Sequence, residues 1–396
     1  MARVLSAAVE EAKLAALAVL LNNARTGRGG LPRTAAWGYP EPYTRDLLIG
    51  ALGTFATGNE ELVASLRRVL ETLAANQSPL GHIPSLVDVP SDRGASDTTP
   101  LFLIALAMYR KYSGDPSFLA EAGDKAHSWM CYRSPEDNVL VAQEPTSDWR
   151  DEQWVEGFGL FVNTLVYSYL KLRGEADRIR TFEQYLGRLD VKGTGQDYVH
   201  GRLHSADRPY YALWAYKVTN SERFDLLGNS WAILSGMASP ARARKIVAWV
   251  EAECRALGEQ GQLSVALPPC LFPYVLPEDP DWRPRYQRYN PPGCYHNGGI
   301  WPFVCGFYVS ALVAAGHSEL AGEKLLALTE LVRPARVAKV TFGFNEWFSA
   351  QDGAPRGQDW QSWSAAMFLY AADCVAKNAT PFFDELRGSS GLADAE

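Results

Sequence analysis

Two acidic segments rich in tryptophan contain the residues best suited to chemistry. The first, S-D-W-R-D-E-Q-W at residues 147–154, places Asp148 and Asp151 around Trp149. It shows neither helical nor strand periodicity, so it is predicted to be a loop. Indole faces stack on the apolar C–H faces of sugar rings, and a carboxyl beside an indole keeps its proton to higher pH. The pattern favours sugar chemistry, although a solvated acidic loop that caps the following helix has the same composition.

The second segment, F-N-E-W-F at residues 344–348, sets Glu346 between an asparagine and a tryptophan. A carboxyl in such an aromatic setting is paired, exposed or functional. Two carboxyls on opposite walls of an aromatic cleft are what glycoside hydrolysis requires. One donates a proton to the leaving oxygen, and the other activates water or attacks the sugar directly. Asp151 and Glu346 are the predicted pair, provided that the fold brings their loops to one cleft.

Two further motifs are expected at the same cleft. In Y-T-R-D, Asp46 caps a helix or joins Arg45 in hydrogen bonding a sugar hydroxyl, one accepting and the other donating. In H-N-G-G-I-W-P at residues 296–302, the glycines permit a sharp turn or a close approach of the backbone to a ligand, and Trp301 is expected near the mouth. His296 belongs to no His/Cys cluster with zinc-ligand spacing and is therefore not expected to bind a metal.

Composition and charge exclude several classes of protein. A chain of 396 residues with 47% apolar content can bury a large core, and its net charge of −7 argues against nucleic acid or an anionic membrane as a partner. The sequence has no Walker loop, Rossmann glycine pattern, G-x-S-x-G motif or zinc-ligand spacing, so neither a cofactor nor a metal is predicted. The six cysteines are scattered, which predicts a reduced, cytoplasmic protein. The expected partner is a small sugar, and a homo-oligomer is left open.

The elements that must position these residues are helices. Helical patterns of ordinary globular length recur along the chain, at residues 7–21, 47–55, 60–75, 101–112, 116–131, 160–172, 176–189, 223–235, 239–256, 300–314, 319–331 and 360–376. No convincing series of alternating strands is present, although residues 139–143 and 261–266 could form short pairs. The pattern predicts an all-α fold of helical hairpins. The sequence lacks the fixed-period repeat of a helical solenoid.

Alternate loops are long, polar and aromatic, and the others are short. If the hairpins form a ring, the long loops converge on one catalytic face. These loops are residues 37–46, 81–97, 147–154, 286–301 and 342–363. The proline-rich stretch 268–292 carries large aromatic residues, which predicts an ordered loop over the cleft rather than a linker. A single domain is expected over residues 1–386, followed by a frayed tail at 387–396.

Taken in order along the chain, these motifs resemble a known family. D-W-R-D at residues 148–151 resembles the W-x-D segment of the neutral/alkaline invertases (glycoside hydrolase family 100) and the W-M-D segment of the bacterial amylo-α-1,6-glucosidase group. Y-H-N-G-G-I-W-P at 295–302 is similar to Y-H-N-G-G-S-W-P of those invertases. F-N-E-W, followed by Q-S-W-S-A-A at 361–366, resembles their W-P-E-Y and Q-T-W-S-x-A segments. T-R-D at 44–46 resembles the R-D that holds the non-reducing sugar in glucoamylase-like and invertase enzymes.

The resemblance covers most of the chain and implies an (α/α)6 barrel with an inverting, exo-acting glycosidase site. Asp151 would then be the general acid and Glu346 the general base, with Asp148 as a second candidate for the acid. The residues expected to bind the substrate are Arg45, Asp46, Asp97, Asp148, Trp149, His296, Asn297, Trp301, Trp347 and Trp363.

The expected substrate is a small α-glucoside or a sucrose-like disaccharide. Two alternatives use the same kind of barrel. One is a hydrolase of glucosylglycerate or mannosylglycerate, and the other is a sugar epimerase or isomerase in which His82, His204 or His296 removes a carbon-bound proton. A third alternative is a sugar-binding protein without activity. Proton exchange into an unhydrolysed monosaccharide would favour the epimerase, and binding without turnover would favour the binding protein.

Overall fold

The computed structural model describes residues 5–135, 139–188, 208–217, 219–337 and 339–388, and most of them are helical. The α-helices are α1 (Ala7–Arg25), α2 (Thr44–Ile49), α3 (Ala51–Thr57), α4 (Glu60–Ala75), α5 (Thr98–Ser113), α6 (Ala120–Tyr132), α7 (Leu160–Arg173), α8 (Ala176–Arg188), α9 (Leu226–Ser235), α10 (Pro240–Glu259), α11 (Tyr286–Tyr289), α12 (Pro302–Ala314), α13 (Ser318–Leu331), α14 (Ser362–Lys377) and α15 (Phe383–Gly388). The β-strands are β1 (Phe158–Gly159), β2 (Ala212–Tyr216), β3 (Thr219–Asp225), β4 (Leu271–Phe272), β5 (Trp347–Phe348) and β6 (Pro355–Arg356).

The inner helices form a closed ring. Helix α2 contacts α5, α5 contacts α7, α7 contacts α9, α9 contacts α12, α12 contacts α14, and α14 returns to α2 and α3. Helices α1, α4, α6, α8, α10 and α13 alternate with these along the chain and pack against them from outside. This arrangement is an (α/α)6 barrel, as predicted.

The two layers differ in sequence, and the difference explains their positions. Every residue of α9 is buried, and so is every residue of α12 except Ala314. A helix that is apolar on all sides is stable only in the interior of a protein. Helix α4 instead buries a stripe that includes Leu62, Leu66, Val69 and Leu73, and its charged residues face solvent. This spacing of three and four residues marks a helix with one buried face.

The inner helices begin at one face of the barrel. Arg45, in the first turn of α2, contacts the Asp97 side chain just before α5 and the Asp148 carbonyl oxygen in the loop before α7. Arg150, in that same loop, contacts Asp225, the N-cap residue of α9. The loops before α12 and α14 meet these residues at the cavity described below. The long loops therefore converge on one face, as predicted.

A four-stranded antiparallel sheet, in the order β1-β2-β3-β4, is a feature that the sequence pattern does not predict. Strand β2 is buried along most of its length, so its sequence lacks the alternation of a half-exposed strand. The predicted helix at 223–235 begins only at Leu226, because β3 extends to Asp225. The prediction of short strands at 139–143 and 261–266 is wrong, since neither stretch belongs to a strand.

Three further expectations concern the chain as a whole. Within the described ranges, no helix combines the length and apolarity needed to cross a membrane. All six cysteines are free thiols. The predicted tail at 387–396 begins inside α15, where the Arg387 guanidinium donates a 2.8 Å hydrogen bond to the carbonyl oxygen of Leu234. Residues 389–396 and His204 lie outside the described residues.

Candidate active site

A cavity of about 130 Å³ opens on the face where the inner helices begin. Its walls include eight of the twelve predicted site residues, namely Arg45, Asp46, Trp149, Asp151, His296, Trp301, Glu346 and Trp363. Thr34, Tyr39, Tyr43, Tyr295 and Gln361 complete the lining. The loops that carry Asp151 and Glu346, far apart in sequence, thus meet at one site.

Arg45 joins three elements at the edge of this cavity. Its Nε donates to Asp97 Oδ2 at 2.5 Å, and its Nη2 donates to the Asp148 carbonyl oxygen at 3.0 Å. Asp97 is fully buried, and burial raises its pKa although Arg45 opposes the shift. Asp97 does not line the cavity, so it can affect a substrate only indirectly, through its hydrogen bond to Arg45.

Asp148 and Arg150 form a buried ion pair behind the cavity wall. The guanidinium of Arg150 donates to both oxygens of Asp148, at 2.8 and 3.4 Å, and a third bond comes from the Arg150 backbone amide at 2.8 Å. Arg150 Nη1 also lies 3.0 Å from Asp225 Oδ1, and all three side chains are inaccessible to solvent. Burial alone would raise the pKa of Asp148, but the charge and hydrogen bonds of Arg150 outweigh it and hold that pKa below its ordinary value.

Asp151, three residues later, has a different environment. Its side chain is 63% exposed and faces the open cavity, yet the surrounding walls desolvate it enough to raise its pKa, with Glu152 and Asp148 adding to the shift and Arg45 opposing it. His296 Nε2 lies 4.0 Å from Asp151 Oδ1. Burial, with Arg150 and Arg45 nearby, holds the pKa of His296 well below its usual value, so this imidazole is neutral at pH 7.

Glu346 lines the same cavity and is only 6% exposed. The backbone amide of Gln358 donates to Glu346 Oε2 at 3.2 Å. Burial raises the pKa of Glu346 to about 8; the charges of Asp46 and Asp151 add to this shift, and the Gln358 hydrogen bond opposes it. At neutral pH the free protein therefore holds a proton on Glu346.

Asp46 is the third carboxyl of the cavity. Gln361 Nε2 donates to its Oδ1 at 3.1 Å, which links the first turn of α2 to the N-cap residue of α14. Burial raises the pKa of Asp46 to about 7, Asp151 and Asp97 add to the shift, and Arg45 opposes it. The N-cap residue of α2 is Tyr43, so Asp46 lies within the first turn and the interpretation of Asp46 as the helix cap is wrong.

The aromatic residues divide into a wall and an accessible lining. Trp149, Trp301 and Trp363 are each 5% exposed or less, and Trp149 meets Trp301 edge to face at 5.3 Å between ring centroids. Tyr39 and Tyr295 are more accessible. The indoles thus shape the cavity with their edges, and the accessible aromatic surface for a sugar belongs mainly to tyrosines.

Several polar atoms around the cavity have no hydrogen-bond partner in the described part of the chain. These atoms are Trp149 Nε1, His296 Nδ1, Gln361 Oε1 and Trp363 Nε1. Buried polar groups are rarely left without a partner, because each one costs about 1–3 kcal/mol. A ligand with several hydroxyl groups suits such a lining.

Two predicted substrate-binding residues lie behind the cavity. The Asn297 side chain is fully buried and bonded to backbone on three sides, donating to Val275 O and Asn290 O and accepting from Val275 N. Trp347 packs against Tyr295 at 5.6 Å between ring centroids and does not line the cavity. His82 is also elsewhere, stacked on Trp129. Three of the missed lining residues sit inside motifs that the sequence does highlight, namely Tyr43, Tyr295 and Gln361, whereas Thr34 lies outside every highlighted segment.

The proline-rich segment 268–292 packs against the loop that carries Asp151. The backbone amide of Trp154 donates to the Tyr286 hydroxyl at 2.7 Å, and Asn290 Nδ2 donates to the Glu152 carbonyl oxygen at 2.7 Å. An ion pair joins Arg285 to the Glu152 side chain. The segment is therefore ordered against this loop, as predicted. No cluster of three His, Cys, Asp or Glu side chains suited to a metal occurs among the described residues.

Glycosidases of known structure share this fold. The crystal structure of the GH63 mannosylglycerate hydrolase from Thermus thermophilus, in complex with Tris and D-glycerate, matches with a TM-score of 0.64 at 17% identity, over 90% of this chain and 99% of that one. A bacterial glucoamylase complexed with acarbose matches with a TM-score of 0.65 at 14% identity, over 96% of this chain and 58% of that one. At these identities the likeness establishes the (α/α)6-barrel fold.

The sequence itself is similar to the invertases, so the predicted resemblance is confirmed. Residues 217–378 match the family model of alkaline and neutral invertases. The chain is 30% identical to the chloroplastic alkaline/neutral invertase E of Arabidopsis thaliana over 178 residues, which are 44% of this chain and 27% of that protein. It is 28% identical to the mitochondrial neutral/alkaline invertase 1 of Oryza sativa over 155 residues, which are 37% of this chain and 22% of that protein. The chain spans about a quarter of the length of these relatives, and the family match includes Glu346 but not Asp151.

The buried pair of Asp148 and Arg150 predicts a stability change that depends on pH. Arg150→Met leaves two carboxyls buried without their cation, which should lower the free energy of unfolding at pH 7 by about 3–5 kcal/mol. In the variant, burial without the cation raises the pKa of both carboxyls, so the folded variant takes up protons as the pH falls from 7 and its penalty is relieved. Wild-type Asp148, whose pKa Arg150 holds low, stays ionised over this range. The difference between variant and wild type, measured by urea titration, should therefore shrink from pH 7 towards pH 4.

Arg25→Met is the matched control, since Arg25 forms an exposed pair with Glu61. It should change the free energy of unfolding far less than Arg150→Met does, because exposed ion pairs contribute little to stability. An Arg150→Met variant no less stable than Arg25→Met at pH 7 would contradict the account of this ion pair.

The raised pKa of Glu346 predicts that its neutral isostere stabilises the fold at alkaline pH. A glutamate in the unfolded chain ionises near pH 4.3, whereas folded Glu346 keeps its proton to about pH 8. Between these values the folded state holds the extra proton, so wild-type stability decreases as pH rises, by about 1.4 kcal/mol per pH unit for this group. Glu346→Gln should remove that slope, becoming the more stable protein at pH 8–9 and equal to wild type near pH 4. Glu259→Gln, at the exposed end of α10, is the control, and its free energy of unfolding should change with pH as that of the wild type does. The same pH dependence in Glu346→Gln would disprove the burial argument.

Proposed function

We propose that this chain is a glycoside hydrolase whose cavity takes the terminal sugar of a small α-glucoside or a sucrose-like disaccharide. The observation that carries the proposal is the pair of carboxyls, Asp151 and Glu346, in the lining of one aromatic cavity, each with a raised pKa. Raised pKa values of two carboxyls in one cleft are typical of acid–base sites that cleave glycosides. The similarity to invertases adds independent support.

In the proposed reaction Asp151 donates a proton to the glycosidic oxygen, and Glu346 removes a proton from a water molecule that attacks the opposite face of the sugar. This is inverting hydrolysis, which needs no covalent intermediate. Asp151 suits the acid because it faces the open side of the cavity, where a leaving group would depart. Asp148 does not suit it, because both of its oxygens are bound by Arg150 and it is inaccessible from the cavity.

The remaining lining would hold the sugar. Arg45 can donate to a hydroxyl and Asp46 can accept from one, while the unpartnered nitrogens of Trp149, His296 and Trp363 offer or accept further bonds. A cavity of about 130 Å³ favours one ring over a chain, which supports exo action. Hydroxyl recognition by buried polar groups is strongly selective, because an analogue that lacks the hydroxyl leaves them unpaired.

The free protein begins with the proton on the proposed base. Glu346 titrates with a pKa of about 8, and turnover requires its charged form together with the protonated form of Asp151. The two groups form a coupled pair, and the reactive state has one proton on the pair, held by Asp151. A test of the roles should therefore not depend on which carboxyl has the higher pKa.

The surroundings of the site also suggest a second candidate substrate, which differs from the first in its leaving group. Arg283, Arg285 and Arg288 are exposed on the segment that packs against the loop of Asp151, and the Arg283 guanidinium lies 4.5 Å from the ring centroid of Trp154. Cations beside the mouth favour an anionic leaving group. A hydrolase of glucosylglycerate or mannosylglycerate is therefore the alternative, and the Thermus neighbour with bound D-glycerate supports testing it. Activity on the glycerate glycosides that falls at high salt, without activity on sucrose, would select it.

Glycosyl fluorides separate the two roles because fluoride leaves without protonation. On the natural glycoside, Asp151→Asn and Glu346→Gln should each lower kcat by about 10²–10⁴. On the matching glycosyl fluoride, Asp151→Asn should keep most of its activity, since no acid is needed, and Glu346→Gln should remain inactive. Initial rates on both substrates give the comparison.

Either variant acting like wild type on the glycoside would refute the assignment of that residue. Activity on the fluoride in Glu346→Gln, with none in Asp151→Asn, would exchange the two roles. Asp148→Asn is not a suitable control, because it breaks the buried pair with Arg150.

A further inference from the structure

Glu346 stands opposite a glycine in a short antiparallel hairpin. Strand β5 pairs with β6 in the register Trp347 to Arg356 and Phe348 to Pro355. The Glu346 amide donates to the Gln358 carbonyl oxygen at 2.9 Å, one residue beyond the partner that this register would give it. Gly357 and Gln358 therefore both lie across from Glu346, as in a β-bulge. Gly357 has a φ of +68°, a conformation that residues with side chains rarely adopt.

The Glu346 side chain occupies the space that a side chain at 357 would need. A Cβ atom added to Gly357 would lie 2.2 Å from Glu346 Oε2, 2.5 Å from its Cβ and 2.9 Å from its Cδ. Real Cβ atoms do not approach other heavy atoms this closely, so either the carboxyl or the turn would have to move. The carboxyl is held there by the amide of the next residue, since Gln358 N donates to Glu346 Oε2.

We propose that Gly357 is the positioning residue for Glu346. Its missing side chain lets the carboxyl lie across the hairpin, where one oxygen accepts the Gln358 amide and the other is left for the cavity. The catalytic consequence rests on the proposed function, in which Glu346 activates water. The placement itself rests only on the hairpin.

The hairpin is anchored on both sides, so it cannot easily yield to a larger residue. Ile300 and Phe348 exchange two backbone hydrogen bonds of 2.8 Å, which fix β5 beside Trp301. Arg336 Nη1 donates to the Gly357 carbonyl oxygen at 2.9 Å. Because the added Cβ atom also lies 2.5 Å from the Glu346 Cβ, rotation of the carboxyl alone would not relieve the contact, and residue 346 would shift together with its carboxyl.

Gly357→Ala introduces both a contact and backbone strain, and a second glycine separates these effects. Gly58, which ends α3, has a φ of +61°, and a Cβ atom built there meets nothing within 4 Å. Gly58→Ala thus imposes similar backbone strain without touching the site. Both variants should retain the wild-type circular dichroism spectrum and lose similar amounts of thermal stability.

Steady-state kinetics give the first test. Gly357→Ala should lower kcat by about 100-fold, the usual effect of misplacing a reacting group by about 1 Å, while KM changes less than about threefold. Gly58→Ala should change neither constant by more than about threefold. A kcat for Gly357→Ala within that margin of the value for Gly58→Ala would overturn the proposal.

A double-mutant cycle with Glu346→Asp tests whether the effect passes through this carboxyl. Aspartate is one methylene shorter, so it removes the 2.2 Å contact with the carboxyl oxygen, while the 2.5 Å contact with the Cβ atom of residue 346 remains. In the Glu346→Asp background, Gly357→Ala should therefore cost less than about tenfold in kcat, a coupling expected only of residues in contact. If the losses in kcat from the two substitutions simply multiply, residue 357 does not act through the Glu346 carboxyl.

A titration followed by NMR separates this inference from the proposed function. With glutamate labelled at the side-chain carboxyl carbon, the Glu346 signal is the one absent from Glu346→Gln. Its titration midpoint should rise in Gly357→Ala, because the anion loses the Gln358 amide, and should stay unchanged in Gly58→Ala. An unchanged midpoint in Gly357→Ala overturns the positioning role. If the wild type hydrolyses no glycoside and the midpoint still shifts, the proposed function fails and the positioning role stands.

Discussion

An excess of buried acid at the face where the inner helices begin is the constraint on which the rest of this structure depends. Six carboxyl side chains gather there around two guanidinium groups: Asp46, Asp97, Asp148, Asp151, Asp225 and Glu346 with Arg45 and Arg150. Isolated charges could not be buried in this way, because desolvating an ion costs several kcal/mol. The positive ends of the inner helices favour negative charge at this face. They do not neutralise it, so some of the carboxyls must keep a proton.

The arginines decide which carboxyls are structural. Arg150 binds Asp148 and Asp225, and so fixes the loop before α7 to the start of α9. Arg45 binds Asp97 and the Asp148 backbone, and so fixes the start of α2 to the loops before α5 and α7. Among the described residues, Asp46, Asp151 and Glu346 form no ion pair with an arginine, and these are the carboxyls that line the cavity. The ion pairs that join the loops of this face thus engage three of the carboxyls, and the three carboxyls that can carry a proton line the cavity.

Much of this architecture follows from the sequence, and the exceptions have physical causes. Helical periodicity predicts an all-α fold of hairpins, and the resemblance to a known family implies the barrel. The structure shows why both hold, since inner helices such as α12 are apolar on all sides and outer helices such as α4 have one apolar face. Strand β2 is not predicted, because burial on both faces removes the alternation that identifies a strand. The end of β3 is indistinguishable from helix in the sequence, because its last residues lead into α9 without a turn.

The site is predictable as a set of motifs, but the part played by each residue within a motif is not. Asp148 and Asp151 are equivalent in a loop sequence, and only the position of Arg150 between Asp148 and Asp225 distinguishes a buried ion pair from an accessible carboxyl. Asn297 sits beside His296 in the chain but turns into the backbone, because the tight turn at 297–299 directs successive side chains to different sides. The importance of Gly357 depends on strand register, which no local pattern reveals.

The most direct test of the central claim is the anomer that the protein releases first. A proton NMR time course with sucrose, maltose, isomaltose, trehalose, glucosylglycerate and mannosylglycerate would record it before mutarotation. Two carboxyls acting as acid and base predict cleavage of one substrate, with a first-formed sugar whose anomeric configuration is opposite to that of the bond cleaved. A first-formed sugar of the same configuration would contradict the role of Glu346 as a base. Incorporation of solvent deuterium into an uncleaved sugar would contradict hydrolysis itself.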